Sequence, residues 1–201
     1  MIIYSKLFLL LLASWLVQPP KIILFFGDSL TAGYGLSPDE AFPALVEKEL
    51  IKENRNVKVI NAGLSGETSA GGLSRIAWTL RQPVDLFVLE LGANDGLRGL
   101  PLEQTKKNLQ SIIDKVKVKY PKVKVVVVGM MVPPNMGSAY ADGFKKIFAS
   151  LAQKNKATLV PFLLEGVGGI ERLNQADGIH PNTEGHKVVA KNLVPYLRKL
   201  I

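Results

Sequence analysis

Three side chains in this sequence have the types and setting for nucleophilic catalysis: Ser29 in Gly27-Asp28-Ser29-Leu30, and the pair in Asp177-Gly178-Ile179-His180-Pro181. A hydroxyl becomes a competent nucleophile when a base takes its proton, and an imidazole serves as that base when a carboxylate fixes its tautomer. The chain has two histidines, so a histidine base is His180 or His186. His180 precedes a proline, which holds it extended and out of a helix. His186 opens a helical segment, where a solvent-facing position would account for it. Asp177 lies three residues before His180, within reach of Nδ1 in a tight turn. Ser29 follows a strand and Gly27, where the N-terminus of a following helix would favour developing negative charge.

Each candidate also has a plainer duty. Serine commonly caps helices, Asn94 and Asp177 are residues that start turns, and Gly66 can supply positive φ. Those duties are independent of one another, so they give no reason for serine, glycine, asparagine and Asp-x-x-His to fall on successive loops of one rim.

The alternation of elements is what would assemble that rim. Short apolar runs at 22–26, 57–60, 86–91, 123–128 and 158–160 predict strands. Apolar residues at three- and four-residue steps predict helices over 41–53, 72–80, 102–118, 144–152 and 186–199, with Pro195 expected to kink or shorten the last. The β-branched run at 123–128 is too uniform for a half-exposed strand and is assigned to the sheet centre. The predicted fold is α/β in three layers, a doubly wound five-stranded parallel sheet of flavodoxin-like order 2-1-3-4-5. Ligands of such sheets bind beyond the carboxyl ends of the strands, where the loops bearing Ser29, Gly66, Asn94 and His180 all lie.

The 201 residues, 47% hydrophobic and 21% charged, suit a single globular domain. Residues 1–20 stand apart: Lys6 precedes an apolar run at 7–17, interrupted by Ser14 and closed by Gln18-Pro19-Pro20. A run of about 11 residues falls short of the ~20 that span a bilayer. It reads as a signal peptide or signal anchor ahead of a catalytic domain over 21–201, giving an exported protein, periplasmic or secreted, or membrane-anchored if the leader is retained. With no cysteine and two histidines, disulfides, a thiolate nucleophile and a good zinc site are excluded, and no cofactor is expected. The net charge of +8 draws on Lys106, Lys107, Lys115, Lys117, Lys119, Lys122 and Lys124. These lysines read as a solvated helix face, with transient contact to an anionic membrane surface as the functional alternative. Nucleic acid is disfavoured because aromatic residues are few, with Tyr120 alone among the lysines.

Gly27-Asp28-Ser29-Leu30, Ser65-Gly66-Glu67-Thr68, Gly92-Ala93-Asn94-Asp95-Gly96 and Asp177-Gly178-Ile179-His180-Pro181 resemble, in order, the four sequence blocks of the SGNH, or GDSL, hydrolases. Within that family the chain is most similar to periplasmic arylesterases and the thioesterase I/protease I/lysophospholipase group. The resemblance implies Ser29 as nucleophile, His180 as base and then acid, and Asp177 as its orienting partner. It also implies an oxyanion hole made by the backbone N–H groups of Ser29 and Gly66 and the side-chain amide of Asn94. Ala93 and Glu67 depart from the family pattern, where glycine and aspartate are expected, which bears on substrate fit more than on catalysis. The implied reaction is metal-independent hydrolysis of acyl esters and thioesters through an acyl-enzyme. A carbohydrate O-deacetylase using the same residues is the alternative, and a non-catalytic acyl- or glycan-binding module a more distant one. A monomer acting on a small acyl ester or lipid is expected. The apolar loop Met130-Met131-Val132-Pro133-Pro134-Asn135-Met136, with Leu97 and Leu100, reads either as an acyl-chain groove or as a satellite core beneath the loops.

Overall fold

The computed structural model describes residues 18–201, so the apolar run at 7–17 lies outside the described residues. Five parallel strands form one sheet in the order β2-β1-β3-β4-β5. They are β1 (Lys21–Gly27), β2 (Val57–Gly63), β3 (Leu86–Glu90), β4 (Lys124–Val128) and β5 (Thr158–Val160). The expected strand order is the observed one, but β4 is not the sheet centre: it is interior, beside the edge strand β5, and β3 is the central strand. Register follows from the apolar runs: Phe25 lies between Asn61 of β2 and Val88 of β3, and Val88 opposite Val126 of β4. Strands covered on both faces need no polar alternation, and β3 is buried along its whole length.

The helices are α1 (Ser29–Ala32), α2 (Phe42–Lys52), α3 (Ser69–Thr79), α4 (Ala93–Leu97), α5 (Leu102–Lys119), α6 (Ser138–Asn155) and α7 (Thr183–Leu197). α2 and α7 pack together on one face of the sheet, and α3, α5 and α6 on the other. Phe25 meets Phe42 edge to face at 5.6 Å on the first face, while Phe26 meets Phe87 at 5.9 Å.

Several details differ from the sequence reading. The single turns α1 and α4 directly follow β1 and β3, too short to show a helical period. α6 begins at Ser138 rather than 144, because its first turns carry polar residues and Gly143. α7 continues through Pro195 to Leu197; the proline sits in the last turn, where the carbonyl it leaves unpaired belongs to exposed Lys191.

The largest correction concerns His186, which is 1% exposed rather than solvent-facing. Its Nδ1 accepts the Phe42 N–H at 3.0 Å and its ring stacks on Phe42. α2 has no side-chain cap of its own, so an imidazole from α7 fills that place. Burial, helped by the charge of His180, pushes the His186 pKa down to about 4.

Candidate active site

The rim at the strand ends is built loop by loop. After β1 the chain turns at once into α1, capped by Asp28, whose Oδ1 accepts the Leu30 N–H at 3.0 Å. Ser29 is therefore the first helical residue rather than the cap, and its hydroxyl is free for other work. The turn is tight because Gly27 has no side chain: a Cβ there would collide with the carbonyl and carboxyl of Glu90 and with Thr31. Glu90 is itself buried, and the Thr31 hydroxyl donates to it at 2.6 Å. Burial, reinforced by the nearby Asp28, holds the Glu90 carboxyl well above its usual range. Burial also pushes Asp28 up to about 6, against the opposing N–H of Leu30.

His180 arrives from the loop before α7. Its Nε2 lies 2.9 Å from Ser29 Oγ and its Nδ1 2.6 Å from Asp177 Oδ2. The other oxygen, Asp177 Oδ1, accepts the backbone N–H groups of Ile179 and His180 at 2.9 and 3.0 Å. The carboxylate thus closes its own turn, with Gly178 at φ +68°, and points its second oxygen at the ring. These hydrogen bonds, the His180 backbone N–H foremost, hold Asp177 down to about 2. An ionised carboxylate on Nδ1 keeps the proton there and leaves the Nε2 lone pair facing the hydroxyl. That arrangement can draw the proton from Ser29 Oγ.

Two residues absent from the sequence reading hold this loop in place. Gln175 Nε2 donates to the carbonyls of Tyr34 at 2.6 Å and Pro181 at 3.0 Å, while its backbone N–H donates to His180 O at 2.8 Å. The Gln175 amide therefore straps the chain after α1 to the histidine loop. Tyr34 lays its ring against that of His180, centroids 4.6 Å apart.

The loops after β2 and β3 meet on the other side. Asn94 Nδ2 donates to the Glu67 carbonyl at 3.0 Å and reaches Asp28 Oδ2 at 3.4 Å, so one amide bridges the serine and Gly66 loops. Asp95 anchors α4 by accepting from Ser69 N at 2.7 Å, Ser69 Oγ at 2.5 Å and Thr105 Oγ1 at 3.2 Å. Gly66 takes φ +78°, and its carbonyl accepts from Arg98 Nη2 at 3.1 Å. Among the described residues, the N–H groups of Ser29 and Gly66 donate to no protein acceptor. Arg75, stacked 4.1 Å over Phe26, pairs through Nε with both Glu67 oxygens at 2.7 and 2.8 Å and reaches Ala62 O at 2.8 Å, fixing the base of the Gly66 loop.

All five residues singled out from the sequence thus lie on this rim. The apolar loop divides: Met130 and Val132 are buried in the core, as the satellite-core reading has it, while Met131 and Leu97 remain exposed at 40% and 42%.

A hydroxyl–imidazole–carboxylate relay at the strand ends of a doubly wound sheet, with a helical turn in place of a nucleophile elbow, defines a class: serine hydrolases on a flavodoxin-like frame. Comparison with known proteins gives the family. The chain belongs to the GDSL-like lipase/acylhydrolase family, whose model matches residues 25–188. It is 41% identical to esterase TesA of Pseudomonas aeruginosa, over 90% of each chain. It is 36% identical to thioesterase 1/protease 1/lysophospholipase L1 of Escherichia coli K12, over 97% of this chain and 91% of the relative. The crystal structure of AlinE4, an SGNH-hydrolase family esterase, superposes with a TM-score of 0.76 at 40% identity, covering 90% of this chain and 97% of that one. The protein is a carboxylic ester hydrolase acting on small ester substrates.

Proposed function

We propose that Ser29 is the nucleophile, His180 the general base and then acid, and Asp177 the residue that fixes the His180 tautomer. The observation that carries this assignment is the unbroken Ser29–His180–Asp177 chain, with contacts of 2.9 and 2.6 Å. Ser29 Oγ attacks the ester carbonyl as His180 takes its proton. The oxyanion is met by the Ser29 and Gly66 N–H groups, which have no protein partner among the described residues, and by the Asn94 amide, which gives up its long 3.4 Å contact with Asp28 to do so. His180 then protonates the departing alcohol or thiol, and water, activated by the same imidazole, releases the acid.

The substrates on this reading are acyl esters of medium length, with thioesters and lysophospholipids alongside, consistent with the names of the relatives. Exposed Leu97, Met131 and Ile179 support it, because they supply apolar surface on the rim. Each buried methylene adds up to about 0.8 kcal/mol, so kcat/KM on p-nitrophenyl esters should climb severalfold per added pair of carbons until the surface is filled. A profile that peaks at acetyl and falls with chain length overturns the acyl-chain reading.

Export by the leader at 1–20 belongs to the same proposal, with the catalytic domain over 21–201 acting as a monomer. Among the described residues, no helix is long and apolar enough to cross a membrane. Deletion of residues 1–18 should leave a soluble, active enzyme.

A further inference from the structure

The free edge of the sheet carries a second recess. Between β2 and the C-terminal half of α3 runs an open groove of about 650 Å3, lined by Ile60, Leu64, Arg75, Trp78 and Arg81 among others. Single exposed apolar residues are ordinary on protein surfaces. Here Trp78 at 65% and Leu64 at 52% exposure share one recess.

Charge distinguishes this groove further. Among the described residues, no aspartate or glutamate lines it. Arg81 lies 5.7 Å from the Trp78 ring centroid and has no carboxylate partner among the described residues. Arg75 commits Nε and Nη2 to Glu67, Ala62 and Gly27, and its Nη1 donates to no protein atom among them. The groove between α2 and α7 differs: Glu49 and Glu53 lie among its basic residues, and Arg198 already pairs with Glu53 at 2.6 Å. The edge groove instead joins an apolar wall to Arg81, which no carboxylate answers, and to the remaining N–H groups of Arg75, whose charge Glu67 already pairs.

We propose that it binds a single anionic amphiphile, a long-chain carboxylate, with the chain along Trp78 and Leu64 and the head group at Arg81 and Nη1 of Arg75. Choosing a carboxylate rests on the ester-hydrolase reading, since that is the product class; the binding itself does not. Leu64 precedes Gly66 by two residues, so an occupant would lie beside the loop that supplies an oxyanion donor.

The test uses Trp78 as its own reporter. The chain has two tryptophans, so the full chain carrying Trp15→Phe has one indole, in the groove. With Ser29 blocked by a fluorophosphonate, dodecanoate below its micelle concentration should change Trp78 emission saturably. Affinity should rise about fourfold per two added carbons, the result of half-burying each methylene. Arg81→Ala should weaken binding at least threefold, and Arg81→Lys less. Both variants should hydrolyse p-nitrophenyl butyrate at the unmodified rate, which separates this site from the catalytic one. Blocked and unblocked protein should bind alike, so failure of the Ser29 assignment would leave this result standing. An equal response to dodecanol, a response confined to anionic vesicles, or unchanged affinity in Arg81→Ala would each overturn the proposal.

Discussion

Replacing Asp177 with asparagine tests how the imidazole is held. In the native turn Oδ1 accepts two backbone N–H groups, at 2.9 and 3.0 Å, and Oδ2 faces His180 Nδ1 at 2.6 Å. Asparagine can satisfy the two N–H groups only by placing its amide oxygen at the Oδ1 position, which turns its NH2 toward Nδ1. His180 must then accept at Nδ1 and carry its proton on Nε2, where it donates to Ser29 rather than receiving from it. A wrong-tautomer substitution of this kind lowers kcat by about 10⁴ in the serine protease prototype, which corresponds to roughly 5 kcal/mol of barrier. The expected outcome for Asp177→Asn is a fall of about 10³- to 10⁴-fold in kcat, KM within about threefold and little change in Tm, because the turn keeps its hydrogen bonds. Asp177→Ala separates tautomer from charge. The Asp177 side chain is 36% exposed, so water can enter and accept a hydrogen bond from Nδ1–H, and the alanine variant should retain more activity than the asparagine one. Stopped-flow measurement of p-nitrophenyl butyrate hydrolysis decides the matter. A loss below tenfold in Asp177→Asn, or equal losses in the two variants, would refute the tautomer argument.

Asn94→Ala should lower kcat about 100- to 1000-fold with KM little changed, the usual effect of removing one oxyanion donor; a loss under threefold would remove Asn94 from that role. Gln175→Glu keeps the shape of the strap but brings two carbonyls against an acceptor, and should cost roughly tenfold in kcat, an effect of lost positioning. Gln175→Met, which cannot donate but repels nothing, should do less harm; the reverse order would contradict the strap. His186 sits near pKa 4 in the fold against an ordinary 6.5. As pH falls below 6.5 the unfolded chain takes up the proton first, so stability is lost down to pH 4, by roughly 3 kcal/mol in all. Asp28 and Glu90 are shifted upward and act in the opposite sense, so the measurement is the difference in unfolding free energy between wild type and His186→Gln. That difference should move against the wild type by roughly 3 kcal/mol between pH 7 and 4, and a constant difference would contradict the buried neutral imidazole.

Most of the rim was legible because its signals are local. The Asp177–His180 turn spans four residues, and Gly27, Gly66 and Gly92 punctuate the ends of three strands whose apolar runs fix the sheet. His186 shows a signal misread: residues 186, 189, 190, 193, 194 and 197 all lie on the buried face of α7, and extending that periodicity back to Asn182 would have put the imidazole inside. Met130 and Val132 continue the apolar run of β4 past the end of the strand, so their composition alone could not separate core from groove. Gln175 left no trace in the sequence, because its partners are backbone carbonyls of Tyr34 and Pro181, which any residue provides. The Glu67–Arg75 pair was hidden for a different reason: it joins a loop to the next helix through a geometry that only the packed sheet defines.

The central claim is that Ser29 carries the acyl group. Intact-mass measurement after exposure to a fluorophosphonate should show one adduct per chain, mapped to Ser29, with ester hydrolysis lost in proportion; Ser29→Ala should take up no adduct and hydrolyse no ester above background. An adduct that persists in Ser29→Ala, or hydrolysis that survives the substitution, would contradict the account.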